Sequence, residues 1–245
     1  MNSKKFYFVG CSTTWENLDI PKLISAHHSA EFVNDAVSGG TNQRTVSRVL
    51  QNIRKYDHMY IQWGPTERFT LHDPKNWHEI HFSSQLSSTY KNLDYYLTFG
   101  KYYYTYWSSI LFEHKKFLEQ IILTQAILAQ NSQSYLMWGY SPTMWGHPTR
   151  QIDLTCSDPQ FIEQLGNLID ITNFDDVQIL QQYHELQNLY FQIDFEYYMK
   201  ASTVNFNLVN STGHLNTEGQ KFVVDRILSF ENNQKHILKD NTYEN

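Results

Sequence analysis

Near its start the chain three times runs a short, apolar, β-favouring segment into a glycine-bearing polar loop. That recurrence constrains the fold more than any other feature. Phe6-Tyr7-Phe8-Val9 stops at Gly10, Glu31 to Val37 stops at Ser38-Gly39-Gly40, and Met59 to Trp63 stops at Gly64-Pro65. Aromatic and β-branched residues favour strands, whereas glycine and proline end them. Between the second and third segments, Val46, Val49, Leu50 and Ile53 recur at i, i+3, i+4 and i+7, which predicts a helix over about Asn42 to Arg54. Strands alternating with helices predict an α/β fold on a parallel sheet, and in such sheets ligands bind beyond the carboxyl ends of the strands. The polar loops are therefore where a site is expected.

Downstream, Phe69 to Trp107 is dense in Tyr, His, Ser and Trp without clean periodicity; it reads as a long insertion after the third strand, a lid across the sheet mouth that is helical in part. Ile110 to Gln130 reads as a helix, Ser134 to Trp138 as a fourth strand, Val177 to Lys200 as an aromatic-rich helix and Val204 to Val209 as a fifth strand. A last helix is expected from Asn216 or Thr217, with Thr217 and Gln220 as a capping box, burying Phe222, Val223, Ile227 and Leu228. Residues 232–245 read as a polar tail. No repeat or Pro, Gly or Ser-rich linker divides the chain, so residues 1–245 are taken as one domain.

Composition narrows the function classes. The net charge is -6 and the Lys and Arg residues are scattered, which argues against nucleic acid as the partner. Cys11 and Cys156 fit neither a metal-ligand spacing nor a disulfide framework. No segment has the length of a transmembrane helix, and the start of the chain lacks the pattern of a signal peptide. The expectation is a cytoplasmic protein with no membrane partner. The oligomeric state is not legible.

The chemistry-bearing candidates are Ser12, just past the first strand, and His214, just before the last helix. Ester acyl transfer needs a nucleophilic hydroxyl, a base within reach and donors aimed at an oxyanion. Both residues are expected at the same end of a parallel sheet. Each also has a structural reading: Ser12 as a helix cap, His214 as a satisfied loop histidine. His72, His78 and His81 lack a convincing fourth ligand, so neither a metal nor another cofactor is expected.

Four segments together resemble the blocks of the SGNH or GDSL hydrolases. Gly10-Cys11-Ser12-Thr13-Thr14 is similar to the first block in a Gly-Cys-Ser-x-Thr form found in tailed phages, and Asn34 through Gly39-Gly40-Thr41-Asn42 to the second. Trp63-Gly64-Pro65-Thr66-Glu67-Arg68 looks like the third, and His214-Leu215-Asn216-Thr217-Glu218-Gly219 like the end of the last. The resemblance implies a three-layer αβα, flavodoxin-like fold on a five-stranded parallel sheet. It further implies Ser12 as nucleophile, His214 as base and an oxyanion hole from the backbone N–H groups of Ser12 and Gly40. A phage origin would place the protein in the host cytoplasm or on a virion.

Three positions depart from the family pattern. Cys11 stands for the Asp before the serine, Thr66 occupies the region of the oxyanion Asn, and Ser211 stands where an Asp would orient the histidine. Thr66 or Asn42 could supply the missing donor, although Asn42 also suits a helix cap. The aromatic run Tyr102 to Trp107 suits lid packing, and equally stacking on a sugar ring. The expected activity is hydrolysis of a small ester, such as an O-acetyl group on a glycan. The alternative is a catalytically impaired scaffold that binds a glycan or a partner protein.

Overall fold

A computed structural model describes residues 3–11, 19–64, 69–72, 79–82, 110–139, 185, 188–189, 191–199 and 215–233. Its elements are β1 (Lys5–Val9), α1 (Ile20–His27), β2 (Glu31–Asn34), α2 (Asn42–Asn52), β3 (His58–Trp63), β4 (Phe69–His72), β5 (Glu79–Phe82), α3 (Ile110–Gln130), β6 (Tyr135–Gly139), β7 (Tyr198–Met199) and α4 (Thr217–Asn233). Five strands form one sheet in the order β2-β1-β3-β6-β7, with every pairing parallel. The expected α/β architecture is thus present.

Alternation along the strands divides the core into two layers. Tyr7, Val9, Met59, Ile61, Tyr135 and Met137 face one way, onto Val49 of α2 and Phe117, Leu118 and Ile121 of α3. Phe6, Phe8, Tyr60, Leu136 and Trp138 face the other, onto Ile20 and Ile24 of α1 and Val224 and Ile227 of α4. A sheet buried on both faces needs continuous apolar strands rather than polar alternation, which is why β1, β3 and β6 read as solid apolar runs. Each such side chain contributes ~1.5–3 kcal/mol when fully buried. No helix among the described residues is long and apolar enough to cross a membrane.

Several boundaries differ from expectation. β2 stops at Asn34, not Val37, because the Asn34 side-chain oxygen accepts the Ala36 N–H at 3.1 Å and turns the chain. Helix α1 has no counterpart in the sequence reading, although Pro21 in its first turn and Ile20 and Ile24 one turn apart were its signals. The expected insertion opens with an antiparallel hairpin, β4–β5, which the sequence reading did not specify.

The fifth strand, Tyr198–Met199, falls inside the segment expected to be helical up to Lys200. Gln125 of α3 explains the change: its side-chain amide pairs with both backbone groups of Asp194, at 2.8 and 2.9 Å, and the Asp194 carboxylate then accepts the Glu196 N–H. That arrangement breaks a helix and releases the chain into β7. The strand expected at 204–209 lies outside the described residues. α4 starts where expected, but its cap is Asn216, whose Oδ1 accepts the Gly219 N–H at 2.9 Å, and not a Thr217–Gln220 box. It runs on through Asn233, two residues into the expected tail.

Candidate functional site

The loops leaving the carboxyl ends of β1, β2 and β3 pack backbone against backbone, and three glycines make this possible. A Cβ on Gly10 would lie 2.6 Å from the Gln62 Cβ, one on Gly40 2.7 Å from the Gly10 carbonyl oxygen, and one on Gly64 3.3 Å from the Gly40 carbonyl oxygen. The first two separations are shorter than real side chains tolerate. The loop after β2 stays hydrogen-bonded to β1, with Asp35 N–H on the Phe8 carbonyl and Val37 N–H on the Gly10 carbonyl. Within that loop the Gly40 N–H donates to the Val37 carbonyl at 3.0 Å, closing a turn in which Gly39 takes a left-handed φ of +73°. The Gly40 N–H is directed into this turn, and an oxyanion role would require that bond to be shared or broken.

Asn42 begins α2 and is only 3% exposed. Its Oδ1 accepts the Gly64 N–H at 2.7 Å and its Nδ2 donates to the Gly64 carbonyl at 3.1 Å, so the first turn of α2 grips the end of β3. The helix cap is the preceding residue, Thr41, which accepts the Arg44 N–H. The Thr41 hydroxyl also hydrogen-bonds that of Thr70, and Gln43 accepts the Thr70 N–H at 3.1 Å. These bonds moor the β4–β5 hairpin to the N-terminus of α2. The positive end of the helix dipole therefore faces the edge of the sheet where the glycines meet.

Beneath this edge, Asp35 joins three elements. Its carboxylate accepts the Tyr7 hydroxyl at 2.6 Å and Arg44 at 2.7 Å, while Arg44 also donates to the Asp35 carbonyl at 2.8 Å. Asn52 donates to the Tyr7 hydroxyl in turn. Burial, and then the bond to Asp35, push the Tyr7 phenol far above its ordinary range. This network rigidifies the approach to α2 and was not foreseen from sequence.

Of the expected site residues, Gly40 and Asn42 meet at Gly64, whereas Ser12, Thr66, Ser211 and His214 lie outside the described residues. Their chain neighbours are described. Cys11 is buried with a free thiol, and its N–H donates to the Gln62 side chain at 3.2 Å. On the far side of the Ser12 loop, the Asp19 N–H donates to the Gln220 side chain at 2.8 Å. Gln62 has no part in the sequence reading and Gln220 enters it only as half of a helix cap, because a glutamine carries no local signature of what it will hold. Among the described residues no group of three or more His, Cys, Asp or Glu side chains gathers as a metal site.

No family model matches the chain, and no curated protein matches it. Among solved structures it is similar to the psychrotrophic esterase EstA of Pseudoalteromonas sp., at 10% identity and a TM-score of 0.46 over 94% of this chain and 98% of that one. It is also similar to a protein of the G-D-S-L family from Desulfitobacterium hafniense, at 14% identity and a TM-score of 0.44 over 93% and 99% of the two chains. A third likeness is to the acetylxylan esterase Axe2 of Geobacillus stearothermophilus, at 13% identity and a TM-score of 0.43 over 94% and 95%. At such identities the activity has to be argued from this chain's own residues.

Proposed function

We propose that the chain hydrolyses a small ester through an acyl-enzyme on Ser12, with His214 as the base. The observation that carries this reading is the glycine-built convergence of Gly10, Gly40 and Gly64 immediately before Ser12. A nucleophile needs a loop held so rigidly that neighbouring N–H groups keep their aim. The reading also draws on the N-terminus of α2 at the same edge, which favours negative charge developing there.

In the proposed sequence the Ser12 hydroxyl attacks the ester carbonyl while His214 accepts its proton. The tetrahedral oxyanion is held by the Ser12 N–H and a donor from the Thr66 region, and by the Gly40 N–H once it leaves the Val37 carbonyl, while Asn42 stays closed on Gly64. Collapse expels the alcohol, which takes the proton from His214; water then attacks the acyl-enzyme as His214 takes its proton, and the Ser12 ester bond breaks to release the acid while His214 returns that proton to the Ser12 oxygen. An O-acetyl group on a glycan is the substrate class proposed.

The test uses the purified protein with p-nitrophenyl acetate and a fluorophosphonate probe. Ser12→Ala is expected to abolish both turnover and labelling, and His214→Ala to lower turnover by on the order of 10³-fold or more. Hydrolysis that is unchanged in Ser12→Ala would overturn the assignment. One observation favours a second reading, that of a non-catalytic scaffold binding a glycan: the Gly40 N–H is committed to Val37 rather than open to an oxyanion. Fluorophosphonate labelling at Ser12 would exclude that reading.

A further inference from the structure

We infer that Gln220 is a positioning residue that locks the Ser12 loop and the His214 loop into one register, an inference that rests on the Ser12–His214 reading above. Gln220 lies in the first turn of α4 and is 7% exposed. Its Oε1 accepts the N–H of Asp19 at 2.8 Å, and its Nε2 donates to the carbonyl of Leu215 at 3.4 Å. Asp19 is the N-cap of α1, seven residues after Ser12 in the chain, and Leu215 directly follows His214. One buried amide thus bridges the two segments that carry the proposed nucleophile and base.

The described residues on either side of Ser12 are each bonded to a glutamine side chain. Gln62 of β3 accepts the Cys11 N–H before it and Gln220 of α4 accepts the Asp19 N–H after it. The second anchor belongs to the helix whose first turn follows His214, so any shift of α4 would move both loops together. α4 is restrained against such a shift at its far end. Glu231 accepts the Tyr60 hydroxyl at 2.7 Å and lies 2.9 Å from the ring nitrogen of His28, the C-cap of α1. The helices α1 and α4 are therefore joined at matching ends, N-terminus to N-terminus by Gln220 and C-terminus to C-terminus by Glu231. Both pack on the same face of the sheet.

A misplacement of about 1 Å between reacting groups costs on the order of 10²-fold in rate. Gln220→Met removes both side-chain bonds at nearly constant volume. In the full-length protein it is expected to lower kcat for p-nitrophenyl acetate and the fluorophosphonate labelling rate at Ser12 by on the order of 10- to 100-fold. KM should stay within about twofold of the wild-type value, since the residue touches no substrate. Asp19→Pro reaches the same bond from the other side: it deletes the Asp19 N–H at a backbone φ of -80° that proline accepts, and the same split between kcat and KM is expected. If the wild-type protein labels at Ser12 while both variants label and turn over at the wild-type rate, the positioning role is overturned and the catalytic reading stands. If the wild-type protein neither labels nor turns over, the catalytic reading falls and the inference falls with it.

Discussion

Asn42 closes its side-chain amide on the backbone of Gly64, accepting the N–H at 2.7 Å and donating to the carbonyl at 3.1 Å. The amide acts as a one-residue strand, extending the pairing of β3 past its last residue and fixing where the next loop departs. Asn42→Ala would leave two buried backbone groups of Gly64 without a partner. Each such group costs roughly 1–3 kcal/mol, so a loss of about 2–6 kcal/mol is expected from the urea unfolding midpoint at constant slope. A loss below about 0.5 kcal/mol would show that the clamp is replaceable by water.

The two adjacent glycines should respond very differently to a methyl group. A Cβ at Gly39 meets nothing within 4 Å, so Gly39→Ala should cost only the left-handed backbone penalty of about 1–2 kcal/mol. At Gly40 the Cβ would lie 2.7 Å from the Gly10 carbonyl oxygen, which is backbone and cannot swing aside. Gly40→Ala is therefore expected to be clearly the more destabilising in thermal melts, and to disturb the Ser12 loop through Gly10. Equal melting points for the two variants would contradict the close packing.

Asp35 holds Arg44, which is 5% exposed, through a 2.7 Å bond, and it accepts the Tyr7 hydroxyl as well. Removing one partner of a buried pair costs about 3–5 kcal/mol; the partial exposure of Asp35 places Asp35→Ala near or below the lower end of that range. The double variant Asp35→Ala/Arg44→Met should be less destabilised than the sum of the two single changes. Additive losses in a double-mutant cycle would mean that the pair is not coupled.

Legibility followed the range of the interactions involved. The apolar runs of β1, β3 and β6 and the period of α2 are local signals, and the sheet they form matches the expectation. What could not be read is the work of the amide side chains. Asn42, Gln62, Gln125, Gln133 and Gln220 are buried and each pairs with backbone far along the chain, Gln125 on Asp194 just before β7. The abundance of Asn and Gln was visible, but a partner 51 or 201 residues away leaves no trace in a local window. Of the site candidates, Gly40 follows β2 and Asn42 opens α2, a placement that the glycine pair and the period of α2 made legible. The sequence did not disclose that the Gly40 N–H closes its own turn.

His58 opens β3 with no solvent exposure, its ring edge-on to Phe6 and Tyr60 and its Nδ1 2.7 Å from the Ser134 hydroxyl. Burial, then the charges of His28 and Lys4, hold its pKa down at about 3 against an ordinary 6.5. The unfolded chain therefore takes up a proton at this histidine below pH 6.5, while the folded chain does not until about pH 3. Over that window the unfolded state binds more protons, so the histidine's contribution to stability is flat above the window and falls as the pH drops through it. Between pH 7 and pH 5 the loss from this group is roughly 2 kcal/mol. His28, Glu231, Tyr60 and Lys4 are common to wild type and variant, so His58→Phe serves as the reference. Its lost bond to Ser134 lowers stability by a similar amount at every pH, whereas the proton term disappears. The stability of wild type minus that of His58→Phe, from urea unfolding, should be lower at pH 5 than at pH 7 by roughly 2 kcal/mol. A difference that stays constant between the two pH values would mean that His58 is protonated in the folded protein as readily as in the unfolded chain.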